Sequence, residues 1–285
     1  MAKTIGNPIS WFARSLGTTT SHLNESAARL VGKAELAEPK VRTLEMEDIR
    51  HALRAGVQDF MASRTDAMFA VLVYPIIGLV LIGVGLQKDM LPLLFPLISG
   101  FALLGPVAAV GLYELSRRRE AGLEANWGHA LGFITSPSFG AILVLGVYMT
   151  GVFVVWMLVA TLIHAITMGA ETPDTAMAFA REVLTTGPGW VMIILGIGVG
   201  FVFALGVLAV SVVSFPLLLD RNVGVAVAIE TSIKVTKANP RVVLTWGAIV
   251  AAGLVLGSLP MFLGLIIVMP ILGHATWHFY RRAVE

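Results

Sequence analysis

Residues 241–282 read RVVLTWGAIVAAGLVLGSLPMFLGLIIVMPILGHATWHFYRR, a run of 39 uncharged residues (Val242 to Tyr280) closed at both ends by arginine. As one helix at 1.5 Å per residue it would be about 58 Å long, nearly twice the ~30 Å hydrocarbon core of a bilayer. Gly257-Ser258-Leu259-Pro260 near its middle supplies a tight turn. Two helices, about 241–257 and 260–280, therefore fit better than one. Because Arg241 and Arg281-Arg282 then flank the interval on the same side, the number of passes through it is even.

Four further charge-free intervals precede it: Ala67–Gln87, Met90–Tyr113, Ala125–Ala170 and Val183–Leu219. The first two suit one helix each, at about 67–87 and 91–113. The third is interrupted by Thr135-Ser136-Pro137-Ser138, which leaves a span of about 139–168. The fourth begins at Thr186-Gly187-Pro188-Gly189 and feeds a span of about 190–218. The last two are longer than the ~20 residues needed, which predicts tilt or ends that project into water. The fold expected is all-α: a six-span transmembrane bundle of three hairpins, with a polar segment over 1–44 and one membrane domain over 45–285.

Composition agrees. The chain has 285 residues, 56% hydrophobic and only 13% charged, with a mean hydropathy of +0.83. Soluble domains carry roughly 25% charged residues. A soluble globular protein, a disordered chain and a nucleic-acid-binding domain are excluded, and the formal charge of +2 supplies no field for nucleic acid. With no cysteine, disulfides, cysteine-ligated zinc and thiol catalysis are excluded as well. Lys3, Arg14, Arg29 and Lys33 lie among Ser, Thr and Asn in the first 40 residues, which lack the apolar core of a cleavable signal.

Six spans divide the Lys and Arg residues 18 to 2 between the two sides, the 18 falling on the two terminal segments and the loops at 114–138 and 220–241. By the positive-inside rule both termini are expected in the cytoplasm of a bacterial inner membrane.

The cytoplasmic segments carry amphipathic patterns. Over 45–62, Ile49, Ala52, Leu53, Val57, Phe60 and Met61 recur at helical spacing, with Arg50, Arg54 and Gln58 opposite. Over 223–238, Val225, Ile229 and Ile233 share one side, Lys234, Lys237 and Arg241 form a basic stripe, and Glu230 can pair with Lys234. A third, shorter helix is expected near Trp127. Arg50, Arg54, Lys234, Lys237 and Arg241 are thus candidates for contact with anionic lipid at an interfacial surface, self-packing of the same helices being the rival. Small residues at four-residue spacing predict close helix packing: Gly196, Gly200 and Ala204 in one span, Gly253 and Gly257 with Ala248 and Ala252 in another. Pro106 and Pro270 are each followed by an aromatic residue at +7 (Tyr113, Trp277) and by paired arginines at +11 and +12, a spacing that fits either internal duplication or ordinary helix ends.

The run Val41-Arg42-Thr43-Leu44, Asp48-Ile49-Arg50, Ala52-Leu53-Arg54-Ala55-Gly56, Asp59-Phe60 and Tyr74-Pro75-Ile76-Ile77-Gly78 resembles the start of a family of uncharacterised bacterial multi-pass integral membrane proteins. Gly111–Arg118 and Phe215–Arg221 are also similar to its pattern, and the resemblance covers roughly 41–282. The family's function is unknown, although some members carry a cytochrome c oxidase subunit label, so the resemblance supplies no catalytic residue.

Chemistry was sought in three forms. The six histidines include one i,i+4 pair, His274 and His278, but no set converging at membrane depth, so no haem or metal is expected. No span holds Asp, Glu, Lys or Arg in its interior, which argues against a pump or proton-coupled carrier. No nucleophile elbow, zinc motif or phosphate-binding loop occurs. The expectation is no catalytic, cofactor or metal site, with one candidate polar cluster at the cytoplasmic helix ends: Glu114, Arg118, Asp220, Arg221 and His278. The function expected is a non-enzymatic scaffold or accessory factor for a membrane complex or for lipid organisation. The alternatives are a small passive transporter or channel, for which Thr150, Thr161, Ser211, Ser214 and Thr245 would have to line a polar path, or an oxidase-associated subunit.

Overall fold

Pro106 decides the shape of the second apolar interval. Proline has no N–H and its ring crowds the carbonyl four residues back, so the helical ladder loses a bond there and a break is favoured. In the computed structural model, which describes residues 39–62, 73–169 and 173–285, this interval is three pieces rather than one span: α3 (Leu94–Leu103), α4 (Gly105–Ala108) and α5 (Val110–Glu120). Before it come α1 (Met46–Ala62) and α2 (Val73–Gly85). The beginning of the first expected span, 67–72, lies outside the described residues, as does the polar segment up to residue 38.

The rest is helical too. α6 (Trp127–Ala130) is followed by α7 (Phe139–Thr167), α8 (Ala176–Thr185), α9 (Gly187–Ser211), α10 (Ser214–Asp220), α11 (Val225–Ala238), α12 (Pro240–Ser258) and α13 (Leu265–Ala283). Thr175 caps α8 by accepting from Ala178 N–H, and Thr186 caps α9 by accepting from Gly189 N–H. Helix α8 falls where only a loop was expected. Among the described residues the one extended pairing is the antiparallel bridge of Val41 with Val284.

Three stretches are long and apolar enough to cross a membrane, Phe139–Thr167, Gly187–Asp220 and Pro240–Ser258, and two shorter apolar helices occupy Pro75–Gly85 and Met90–Leu103. The 39-residue interval is two helices, with the chain turning over 259–264 through positive φ at Met261 and Phe262. Gly257 and Gly264 face each other so closely that a Cβ on Gly264 would stand 2.8 Å from the Gly257 Cα, and a Cβ on Gly253 would meet Leu272 and Val268 at 3.2 Å. Missing side chains at these positions let α12 and α13 lie together as a hairpin.

Helix α1 packs more extensively on α13 than any other pair of helices packs together. The register is antiparallel: Asp48 reaches Arg282, whereas Gly56 faces Ile271 and Ala275. A Cβ on Gly56 would come within 2.6 Å of the Ala275 Cβ. The buried stripe is Ile49, Ala52, Gly56, Asp59 and Phe60, while Val57 and Met61 are exposed. The apolar face expected from periodicity is thus rotated toward the small residues, because only they allow two backbones to meet. In α11 the shift is larger. Ala228, Thr231, Ser232 and Val235 are buried, and Val225, Ile229 and Ile233 are only half-buried. Hydroxyls explain it: Ser232 Oγ accepts from Val213 N–H, and Ser214 Oγ donates to the Ala228 carbonyl.

The dense core lies at one end. Trp246, Phe215, Leu217, Leu218, Trp277, Phe279 and Tyr280 are almost wholly buried, and Trp246 stacks on Phe279 with ring centroids 5.0 Å apart. Around this core gather residues 39–62, α5, α10, α11 and the last half of α13, at the end of the molecule that carries the arginines of α5, Arg221 and Arg281-Arg282. Asn239, at the elbow between α11 and α12, accepts from Leu44 N–H at 2.7 Å and donates to the Arg42 carbonyl at 2.9 Å. Lys40 and Glu285 exchange backbone hydrogen bonds. Away from this basic end the helices diverge, and α7 and α9 expose Val147, Leu158, Leu162, Ile194, Phe201 and Val202.

Candidate functional site

A carboxylate stands inside the apolar stripe of α1. Asp59 follows Ile49, Ala52 and Gly56 at helical spacing, so α1 carries it into the contact with α5 and α13, where it is 8% exposed. There its Oδ2 accepts from Ser116 Oγ at 2.6 Å and from His278 Nε2 at 2.9 Å, and its Oδ1 pairs with Arg119 Nε at 3.1 Å. Ser116 Oγ also lies 2.8 Å from His274 Nδ1. One carboxylate on α1 is therefore tied to two helices at once. Burial works against its charge, but the hydrogen bonds from His278 and Ser116 and the nearby positive charge outweigh it, holding the Asp59 carboxyl below its usual 3.8.

The proton arrangement follows. An ionised Asp59 only accepts, so the single Ser116 hydroxyl proton points to it, and His274 donates Nδ1–H to the Ser116 oxygen. His274 is fully buried, and its Nε2 has no hydrogen-bond partner within the described residues. This is not a nucleophilic arrangement. The serine proton goes to the carboxylate directly, the imidazole acts as donor rather than base, and Ser116 is 0% exposed. Among the described residues no group of three His, Asp or Glu side chains could hold a metal ion.

Further carboxylates continue the pattern along α13. Glu120 on α5 accepts from Trp277 Nε1 at 2.8 Å and Arg281 Nε at 3.0 Å. Asp220, which ends α10, accepts from the Tyr280 hydroxyl at 2.7 Å and meets Arg281 at 3.3 Å. Asp48 takes Arg282 at 2.8 Å.

The five residues expected to form one cluster fall into three groups. Glu114, almost fully buried, is held by Arg117 through two 2.8 Å hydrogen bonds, with Arg118 at 3.9 Å. Its pairing raises the affinity of Arg117 for its proton. Asp220 and Arg221 belong with Tyr280 and Arg281, and Arg221 also donates to the Glu285 carbonyl. His278 belongs with Asp59. The residues not anticipated are Asp59, Ser116, Arg119 and Glu120. The signal for Asp59 was available, as an acid in register with an apolar stripe. No sequence pattern announces Ser116.

The other expected positions divide similarly. Lys234 does pair with Glu230, at 2.9 Å. Arg50 and Arg54 share Glu47, at 3.1 and 4.0 Å. Lys237 and Arg241 are exposed and have no carboxylate partner among the described residues. Gly253 and Gly257 hold the α12–α13 hairpin, whereas Gly200 rests on Trp156, Gly196 has nothing within 4 Å, and Ala204, Ala248 and Ala252 are exposed. Packing therefore uses only part of the small-residue pattern. Thr150, Thr161, Ser211 and Thr245 turn their hydroxyls onto carbonyls of their own helices, while the Ser214 hydroxyl lies between the Val210 and Ala228 carbonyls.

Comparison adds one finding. Residues 94–220 match the model of a family described as "Predicted integral membrane protein (DUF2189)". The chain is an integral membrane protein. No curated protein and no solved structure matches it. The matched stretch runs from α3 to the end of α10 and contains Glu114, Ser116, Arg119 and Asp220. Asp59, His274 and His278 lie outside it. The match agrees with the resemblance drawn from the residues, to a membrane family of unknown function.

Proposed function

We propose that this protein is a non-enzymatic membrane scaffold or accessory factor, crossing a bacterial inner membrane with the basic end in the cytoplasm. One observation carries the reading: close packing is concentrated in a polar-clamped collar at the basic end, while the apolar faces of α7 and α9 are left open. Of the 25 residues of α9, only Gly189, Val207 and Ser211 are buried within the chain. A closed collar fixes geometry, and open apolar helices offer surface to lipid or to another membrane protein. Affinity purification in a mild detergent with mass spectrometry tests this. A membrane protein co-purifying in stoichiometric amount is expected; a protein that purifies alone and passes small solutes in proteoliposomes would overturn it.

A passive transporter is the second reading, supported by the break over Leu104–Ala109. Interrupted helices at membrane depth are tolerated where they are buried in protein or line a cavity, and they mark the binding sites of many transporters. Against it stands the engagement of all five hydroxyls by backbone carbonyls, four of them on the hydroxyl's own helix.

A further inference from the structure

The fold separates the five basic residues expected, on two amphipathic helices, to meet anionic lipid. Arg50 and Arg54 are compensated by Glu47. They also lie on a helix that runs antiparallel to α13, with Asp48 level with Arg282 and only Gly56 reaching Ala275 and Ile271. Arg50 is therefore level with the charged end of α13, two turns away from its apolar half. Lys234 is compensated by Glu230. Lys237 and Arg241 differ on both counts. They flank the elbow between α11 and α12, and Arg241 is the last charge before the apolar interval. The elbow does not swing freely, because the buried Asn239 is fastened to the Arg42 carbonyl and the Leu44 amide of the segment before α1. Two uncompensated cations are thus held at the edge of a membrane helix. Above Arg241, α12 turns Leu244, Ala248, Ala252, Val255 and Leu259 outward, an exposed apolar face that small residues keep shallow.

We propose that the α11–α12 elbow is a binding site for an anionic phospholipid, its phosphate held by Lys237 and Arg241 and its acyl chain lying along the outward face of α12. Charge complementarity and position select this occupant: a phosphodiester carries the charge the cations lack, and it is attached to chains of the chemistry that the adjoining face requires. The inference rests on the proposed membrane placement of the basic end, and it does not depend on a protein partner.

The test uses the full chain purified in a mild detergent, exchanged into mixtures of phosphatidylglycerol and phosphatidylcholine, with bound lipid counted by native mass spectrometry. Phosphatidylglycerol should be retained preferentially. Lys237→Gln/Arg241→Gln should lower its retention roughly thirtyfold, whereas Arg50→Gln/Arg54→Gln should retain it as the unaltered protein does. Arg241→Lys keeps the charge and should retain it as well. Both positions are exposed, so the variants should unfold at the same temperature as the parent. Equal retention of the two lipids, full retention by the double variant, or an equal loss on changing Arg50 and Arg54 would each overturn the proposal. Failure here with a protein partner still co-purifying would leave the scaffold reading standing.

Discussion

Removing the Asp59 carboxylate should release α1 from the membrane domain without unfolding the rest. The side chain is 11% exposed and takes hydrogen bonds from Ser116 and His278 and an ion pair from Arg119. Hydrogen bonds to a charged group are each worth about 1.5–3 kcal/mol, and truncating one partner of a buried pair costs about 3–5 kcal/mol. Arg119 is 34% exposed and can rehydrate once abandoned. The low end, about 3 kcal/mol, is therefore the expectation for Asp59→Ala. At a factor of ten per 1.4 kcal/mol, that is roughly a hundredfold rise in the detached population of α1. Hydrogen exchange on protein in mild detergent measures it directly: amides of 46–62 should exchange roughly a hundredfold faster while those of α7 keep their protection. Exchange in α1 within about twofold of the parent would show that apolar packing around Gly56 holds the helix without the carboxylate. The pH dependence has a definite sign. The folded-state pKa of Asp59 lies below its usual 3.8, so its contribution is fully present above about pH 4 and is lost as pH falls through the lower folded-state value. Asp59 should thus hold α1 at neutral and mildly acid pH and let go only below.

Three other outcomes are expected. Alkaline phosphatase fused to the C-terminus should be inactive and a fluorescent protein there bright; phosphatase activity would refute the cytoplasmic placement and the even number of passes. Gly257→Leu should lower the thermal unfolding temperature, since a Cβ there meets Leu265 at 2.7 Å and overpacking costs about 1–3 kcal/mol, while Gly196→Leu, with nothing within 4 Å, should leave it unchanged. The purified protein should show no Soret band; a band lost on His274→Ala or His278→Ala would disprove the reading that these histidines serve hydrogen bonds.

Much of the architecture was legible because bilayers impose simple rules. Charge-free length limits where helices can cross, and the distribution of Lys and Arg groups the loops by side. The Arg241–Arg282 interval already implied a hairpin at Gly257. The broken second interval was less legible. The spacing of Pro106 to Tyr113 fits an unbroken helix end, whereas its missing N–H favours the break.

Side-chain partners were beyond the linear text. Asp59 and His278 are 219 positions apart, and nothing in periodicity says that a carboxylate on one amphipathic helix will enter a hydrogen bond on another. What decides it is the close approach that Gly56 and Ala275 allow, which fixes the antiparallel register of α1 on α13 and so chooses which polar groups meet. Packing likewise distinguishes Arg50 and Arg54, which share Glu47, from Lys237 and Arg241, which have no carboxylate partner among the described residues. Hydropathy and charge act over whole segments and can be summed along a chain. Pairing acts over about 3 Å, and only the tertiary packing of small residues sets positions that finely.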